Sequence, residues 1–500
     1  MLRLLPILAA CLASTSAAAL HPFGAAGGIT LNDMLLGHTD DRSDDSSDRS
    51  VDIPNDLWFT NQSLDHTSST NLKTWKQRYH VNTDWFGGAN APIFLFVNGE
   101  SPADATTVTS STVFMNELAQ TYQAMVVSVE HRFYGLSQPT GDLSIDSLKF
   151  LTMEQALLDL TRFQSYFVGL HNLTKTNKWV AFGGSYPGML AGFLVSKFPD
   201  RFAGAVASSA PVNMKTDFHE YKDTVAKGLR AVGGDACAMS VGQAILSFHA
   251  LVASSAADDQ ALLKKLFNPC DGPVTNDWHR ATLELIASNI FGSYAQYNGL
   301  SKYGLKDVCV LFNTSRTPLD GLASLARTIW SPKGSFANCT LSNYDSYAVD
   351  GYLSTSVVNP NATWRQWMYQ TCAEFGFAQL SATAKSFFGV LKYGTLDATH
   401  YTMCRRLFGI NDTEANTATT RQVYGGLKVN TSNVVWVNGN LDPWSALSFT
   451  NDTKPVNLNS DVVYIDGTAH CADMRSRSLK PVPAWAHDRI ERNVRKFLGL

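Results

Sequence analysis

Residues 179–191 read Trp-Val-Ala-Phe-Gly-Gly-Ser-Tyr-Pro-Gly-Met-Leu-Ala, and this stretch decides the fold. A short apolar run ends in two glycines and a serine, and small and apolar residues follow over 186–198. This order predicts a strand, a sharp turn at Ser185 and a helix, which is the layout of a nucleophile elbow. The alternative is a glycine-rich turn between a strand and a helix, with an incidental serine.

Pro187 departs from the usual Gly-x-Ser-x-Gly pattern, because the second glycine is displaced by one place to Gly188. A proline in the first turn of a helix costs little, since its fixed φ suits the helix and its missing N–H would have no partner there. The elbow interpretation therefore tolerates the departure.

Apolar runs on both sides of the elbow predict further buried strands. They lie at 93–97, 124–129, 203–207, 434–437 and 462–465. Helical patterns at 112–122 and 153–167 alternate with the earlier runs, which favours an α/β fold with a mostly parallel sheet covered on both faces. From about 212 to 425 this rhythm stops, and we interpret that segment as a long, largely helical insertion.

The composition restricts the function classes. The chain has 500 residues, is 45% hydrophobic and carries a net charge of −3, so a sizeable core is available and no nucleic-acid partner is indicated. No segment after the N-terminus has about 18 uninterrupted apolar residues, so we expect no membrane span. Residues 1–19 have the pattern of a signal peptide, and the aspartate-rich segment 20–52 is expected to be disordered or a removable pro-segment.

Export would make disulfides the natural state of the cysteines. Cys11 would leave with the signal peptide, and the seven others have no Cys-x-x-Cys spacing that would suggest zinc. Their number predicts three bridges and one odd thiol. Eight N-x-S/T sequons further predict surface glycosylation, at Asn61, Asn172, Asn313, Asn338, Asn361, Asn411, Asn430 and Asn451.

A serine nucleophile needs a histidine base and a carboxylate that orients it, and in the α/β-hydrolase order both follow the serine. Asp442 lies just past the strand at 434–437, and His470 just past the strand at 462–465. Parallel strands would bring both loops to the same edge of the sheet as Ser185. Asp466 is a rival acid, although it follows the same strand as His470. Each residue also has a structural alternative, Asp442 as a turn former and His470 as one of twelve histidines.

The oxyanion hole of such a site needs two backbone N–H donors. The amide of Tyr186, directly after the nucleophile, would supply one. The loop after the strand at 93–97 is the best source of the second, with Gly99 as the candidate; an ordinary turn glycine is an equally good interpretation.

Several short motifs form a set, and they lie at 61–66, 77–79, 98–100, 130–135, 183–186, 440–444 and 467–470. Taken together, these motifs resemble a known serine peptidase family, that of lysosomal Pro-X carboxypeptidase, dipeptidyl-peptidase II and thymus-specific serine peptidase. The similarity covers about residues 55–498. The resemblance implies an α/β-hydrolase core, at 53–211 and 426–500, with a helical cap at 212–425. It also implies a secreted or lysosomal (vacuolar) exopeptidase that acts on peptides, often after proline, with no cofactor or metal.

The same resemblance implies how the cysteines pair, which spacing alone leaves open. The implied bridges are Cys237–Cys309, Cys270–Cys339 and Cys372–Cys404, and Cys471 is left as the odd thiol. Two other functions stay open, a carboxylesterase or lipase on the same fold and a triad-bearing protein used for binding. A homodimer stays open as the assembly state.

Overall fold

The structure is a computed structural model, and it describes residues 35–36, 53–329 and 339–500. The predicted signal peptide at 1–19 lies outside the described residues. So does the predicted acidic segment at 20–52, apart from Leu35 and Leu36.

The centre of the protein is an eight-stranded sheet with the order β1-β2-β4-β3-β5-β6-β9-β10. Its strands are β1 (Leu57–Ser63), β2 (Thr74–Asn82), β3 (Ile93–Val97), β4 (Met125–Val129), β5 (Trp179–Gly184), β6 (Gly204–Ser208), β9 (Val434–Gly439) and β10 (Asp461–Ile465). At one edge of the sheet, β2 pairs antiparallel with both β1 and β4. Across the rest of the sheet, from β4 to β10 in the order given above, neighbouring strands are parallel. The mostly parallel sheet predicted from the apolar runs is confirmed.

Helices cover both faces of this sheet. The helices of the core are α1 (Phe114–Tyr122), α2 (Ile145–Leu148), α3 (Met153–Leu170), α4 (Tyr186–Lys197) and, at the end of the chain, α14 (Ala484–Leu498). Along β3, Ile93 and Leu95 pack into one apolar cluster with α3 and α4, while Phe94 packs into a second with α1 and α14. Because both faces are buried, the strands are continuous apolar runs and not alternating ones.

The segment between β6 and β9 is largely helical. Its helices are α5 (Glu220–Ala253), α6 (Ala257–Phe267), α7 (Asp277–Gln296), α8 (Leu305–Thr314), α9 (Pro318–Ile329), α10 (Tyr344–Ala348), α11 (Trp364–Gln370), α12 (Thr402–Phe408) and α13 (Thr413–Tyr424). Two short strands, β7 (Lys215–Asp217) and β8 (Gly376–Ala378), pair in parallel within it. We call this segment the cap. It lies in the chain between Ser185 and Asp442, so the sheet is an α/β-hydrolase core with a helical insertion.

Three disulfides lie within the cap. They are Cys237–Cys309, Cys270–Cys339 and Cys372–Cys404, the same pairs that the family resemblance implied, and Cys471 is a buried free thiol. The first bridge joins α5 to α8 across 72 residues of sequence, so it restricts the unfolded chain strongly.

The long helix α5 is kinked at Gly234, whose φ of 75° and ψ of 177° are not helical. Among the described residues α5 is the one helix that is long and apolar enough to cross a membrane, judged by length and composition alone. Nearly half of its most apolar stretch is buried inside the protein, and buried core helices meet the same criteria. This composition is therefore weak support for a membrane span.

Candidate active site

Ser185 lies in the turn between β5 and α4, with a φ of 62° and a ψ of −133°. A positive φ is costly for a residue with a side chain, so the surrounding turn must hold it in place. A side chain on Gly183 would come within 2.3 Å of the carbonyl oxygen of Pro187, and only glycine fits there. Pro187 is the second residue of α4, as predicted. The backbone N–H of Ser185 donates to the carbonyl of Ser208 at 2.9 Å, which ties the elbow to β6.

Asp442 and His470 meet at the same edge of the sheet. The Nδ1 of His470 is 2.9 Å from the Oδ2 of Asp442, and both side chains are buried. The other carboxylate oxygen of Asp442 accepts a hydrogen bond from the backbone N–H of Trp444 at 2.9 Å. Asp466, the rival acid, is exposed and bonds to the side chain of Asn440. Of the two acids, the structure pairs Asp442 with His470.

Burial and charge shift the pKa of His470 in opposite directions. Burial by itself lowers the pKa of the imidazole, but the charge of Asp442, the adjoining Cys471 side chain and the hydrogen bond to Asp442 together outweigh it, so the pKa of His470 is raised well above its ordinary value. Asp442 therefore stabilises the imidazolium ion, which is what an orienting carboxylate does when a histidine accepts a proton from serine.

The loop that carries His470 is fixed close to the elbow. Ser208, the partner of Ser185, is followed by Ser209, whose N–H donates to the carbonyl of Val437 in β9. The hydroxyl of Ser209 in turn accepts from the backbone N–H of Cys471 at 2.9 Å. Hydrogen bonds thus join the end of β6 to the turn of Ser185, to the strand β9 that precedes Asp442 and to the loop of His470.

The cap also contributes to the site through Gln296, the last residue of α7. Its backbone carbonyl accepts from the N–H of His470 at 3.0 Å. Its side-chain oxygen accepts from the indole of Trp444 at 3.0 Å and from the hydroxyl of Tyr221 at 2.8 Å. One cap residue therefore holds the loop of Asp442 and the loop of His470 together. The sequence carries no local signal for this role, because Gln296 reaches both loops only through the tertiary fold.

Gly99 packs directly on the first turn of α4. A side chain there would come within 2.3 Å of the ring of Pro187 and 3.3 Å of the ring of Tyr186, so glycine is required. The loop after β3 therefore lies beside the amide that follows Ser185, where a second oxyanion donor has to be. The buried side chain of Tyr186 is itself held, since its hydroxyl lies 2.9 Å from the Nε2 of His131 and accepts from the amide of Gln370 at 3.0 Å.

One cluster in the described part of the chain has the spacing of metal ligands, namely Cys372, His400 and Cys404. Both sulfur atoms are joined in a disulfide, so a single nitrogen ligand remains.

The predicted glycosylation sites can be compared with the exposure of their asparagine side chains. Seven of the eight sequon asparagines are exposed, and Asn338 lies outside the described residues.

Comparison with known proteins identifies the family of this chain. The model of the family "Serine carboxypeptidase S28" matches residues 62–489. The putative serine protease K12H4.7 of Caenorhabditis elegans is 33% identical over 438 residues, which cover 83% of this chain and 82% of that protein. The thymus-specific serine protease of Mus musculus is 32% identical (84% and 83% covered), and the lysosomal Pro-X carboxypeptidase of Homo sapiens is 27% identical (84% and 83% covered).

Among solved structures, a proline iminopeptidase from Mycobacterium smegmatis covers 85% of this chain and 94% of its own, at 14% identity and a TM-score of 0.34. The assignment rests on the sequence comparisons, which span most of the chain and most of each relative. On these matches the chain belongs to the serine carboxypeptidase S28 family, a family of serine peptidases.

Proposed function

We propose that this protein is a secreted or lysosomal exopeptidase that uses Ser185, His470 and Asp442 as a catalytic triad. The observation that carries the proposal is the 2.9 Å contact between His470 and Asp442, both buried, at the sheet edge that also bears the strained Ser185. A buried acid, a base that it orients and an elbow serine in this chain order are the parts of an acyl-transfer site.

In the proposed reaction, the hydroxyl of Ser185 attacks the carbonyl carbon of a peptide bond while His470 accepts its proton. The imidazolium is stabilised by Asp442, and the N–H of Tyr186 with that of the Gly99 loop stabilises the oxyanion. His470 then gives its proton to the departing amine, which leaves an ester on Ser185. A water molecule, activated by His470, hydrolyses this acyl-enzyme and regenerates the hydroxyl.

The surroundings of Tyr186 support a preference for peptides that contain proline. The ring of Tyr186 lies 5.8 Å from that of Trp367 and 5.2 Å from that of Phe375, both of which belong to the cap. Flat aromatic surface beside the nucleophile suits the apolar pyrrolidine ring. The lysosomal Pro-X carboxypeptidases that are similar to this chain support the same preference.

The position of the cap supports an exopeptidase. It is inserted between β6 and β9, and its residue Gln296 bonds to both loops of the site. A cap held against the catalytic loops leaves room for a chain end or a short peptide and excludes a folded chain. Exposed sequons and three disulfides support export or delivery to the lysosome.

The experiment compares the purified protein with its Ser185→Ala variant on Pro-X peptides and on nitrophenyl esters, together with labelling by a fluorophosphonate probe. We expect the wild type to cleave the peptides faster than the esters and to be labelled. The variant should lose labelling and several powers of ten in turnover. Faster ester turnover would favour a carboxylesterase, and a wild type without labelling or turnover would favour a binding protein. Mass spectrometry of the products from a peptide library would show which chain end is removed.

A further inference from the structure

Glu100 is an acidic side chain at the candidate site to which the proposed mechanism gives no role. It lies three residues past the end of β3 and follows Gly99 directly, the residue that packs on the first turn of α4. Its Oε2 atom is buried and has no hydrogen-bond partner, and no ion pair to Glu100 exists within the described ranges. An ionised carboxylate in such a place is costly, because burial removes the water that would stabilise its charge.

Among the described groups that act on the charge of Glu100, His470 is the one that can be a cation. Its electrostatic neighbours are His470 and three buried phenols, Tyr134, Tyr186 and Tyr297. Arg78 and Arg132 form ion pairs with Glu130 and Asp159 and not with Glu100. Burial raises the pKa of Glu100 to about 7, while its own backbone N–H and the charge of His470 act in the opposite direction. The carboxyl is therefore neutral in mildly acidic solution and ionised above neutral pH.

We propose that Glu100 acts in its neutral, protonated form beside the oxyanion hole, and that its ionisation reduces activity above neutral pH. The proposal rests on the function proposed above. A negative charge one residue from Gly99 would repel the negative charge that develops on the substrate carbonyl oxygen. An ionised Glu100 would also favour the protonated form of His470, which cannot accept a proton from Ser185. Both effects act in the same direction.

The test is the pH dependence of kcat/KM for a Pro-X peptide between pH 5 and 9, in the wild type and in Glu100→Gln. Glutamine has nearly the same shape and stays neutral throughout. We expect the wild-type value to fall by up to about tenfold per pH unit above the pKa of Glu100. In Glu100→Gln this fall should be absent, so that kcat/KM stays level above neutral pH.

Glu374→Gln is the matched control. Glu374 is a half-buried carboxyl whose pKa burial raises to about 8. Its oxygens accept the N–H of Met153 and not a group of the catalytic loops, and its charge acts on the phenol of Tyr186, not on the amide proposed for the oxyanion hole. Its variant should keep the wild-type profile. If kcat/KM no longer falls above neutral pH in either variant, the effect is not specific to Glu100 and the proposal is overturned.

The outcomes separate this inference from the proposed function. A wild type that neither cleaves peptides nor reacts with a fluorophosphonate contradicts the function itself. An active wild type together with a Glu100→Gln variant that keeps the falling limb, or that is folded but inactive at every pH, overturns only the role of Glu100. If Glu100→Gln does not fold, the infrared absorption band of protonated carboxyl groups is measured instead, in Glu374→Gln protein. A band that disappears near pH 7 together with the activity supports the inference. If no band disappears there, the inference is overturned.

Discussion

At the scale of single residues, Asp442 and Asp466 both follow a strand end near His470, but their surroundings differ. Asp442 is buried and bonds to the imidazole, whereas Asp466 is exposed. We expect Asp442→Asn to lower kcat by about 10,000-fold, since an amide cannot stabilise the imidazolium and favours the wrong tautomer. Asp466→Asn, the matched control, should stay near wild-type activity. Steady-state kinetics on one peptide substrate would check both variants, and inactivation by Asp466→Asn alone would identify Asp466 as the acid.

Cys471 is a second residue whose surroundings lead to a prediction. It follows His470 directly, is buried and has a φ of 56°. Cys471→Ala should remain active because the mechanism uses no sulfur. Cys471→Val should lose activity, since a β-branched residue is strained at positive φ and added bulk would displace His470. A displacement of about 1 Å can cost on the order of 100-fold in rate. Kinetics of the two folded variants would check this, and an inactive Cys471→Ala would reveal a role for the thiol.

The number of free thiols can be checked separately on the same residue. A thiol reagent added to the denatured, unreduced mature protein should titrate one group per chain. Peptide mapping without reduction should find Cys471 unpaired, and a disulfide that contains Cys471 would contradict the structure.

At the scale of elements, the strands and the loops that directly follow them could be predicted from the sequence, because a local pattern of apolar residues determines them. The elbow, the loop of Asp442 and the loop of His470 each directly follow an apolar run, so strand and loop could be recognised together. The hydrogen bonds of Gln296 and the burial of Glu100 could not be predicted, because they depend on residues far apart in the chain. Gln296 lies in the helical insertion with no motif around it, and Glu100 is the last residue of the short motif at 98–100.

The end of α7 is the element that connects the cap to the catalytic loops. Gln296→Ala would leave the indole N–H of Trp444 and the hydroxyl of Tyr221 without their acceptor. We expect kcat to fall by about 10- to 100-fold, since the loop of Asp442 loses its bond to the Gln296 side chain while the backbone carbonyl that holds His470 and the triad itself stay in place. Gln243→Ala, an exposed glutamine of α5, is the control and should have no effect. Equal kcat values in the two variants would show that the side chain of Gln296 does not position the loop of Asp442.

At the scale of the whole molecule, we expect the cap to determine which substrates reach Ser185. If it encloses the cleft as proposed, short peptides should be cleaved readily while folded serum albumin stays intact under the same conditions. Gel electrophoresis and mass spectrometry of the albumin would check this. Heat-denatured albumin is the control, because its free ends should be trimmed. Rapid internal cleavage of the folded protein would contradict an enclosing cap.

Cap and core are also joined through Glu374, and this contact makes the stability of the protein depend on pH. Both oxygens of Glu374, which lies in the cap, accept the N–H of Met153 at the start of α3, at 3.1 and 3.0 Å. Burial raises the pKa of Glu374 to about 8 from an ordinary 4.5, against the weaker effect of this hydrogen bond. Between these two pH values the folded protein holds a proton that the unfolded chain has released, so the contribution of Glu374 to stability falls as the pH rises.

Glu374→Gln should remove this dependence, because an amide can accept the same hydrogen bond and does not ionise. We compare the melting temperature of the variant with that of the wild type at each pH. The difference, variant minus wild type, should be higher at pH 8 than at pH 5 by about 2 °C or more. Thermal unfolding followed by circular dichroism at the two pH values would measure it. Asp258→Asn, at an exposed position of α6, is the control and should show no such gain. If Glu374→Gln follows the wild type at both pH values, Glu374 ionises normally in the folded protein, and the contact between cap and core carries a charge at neutral pH.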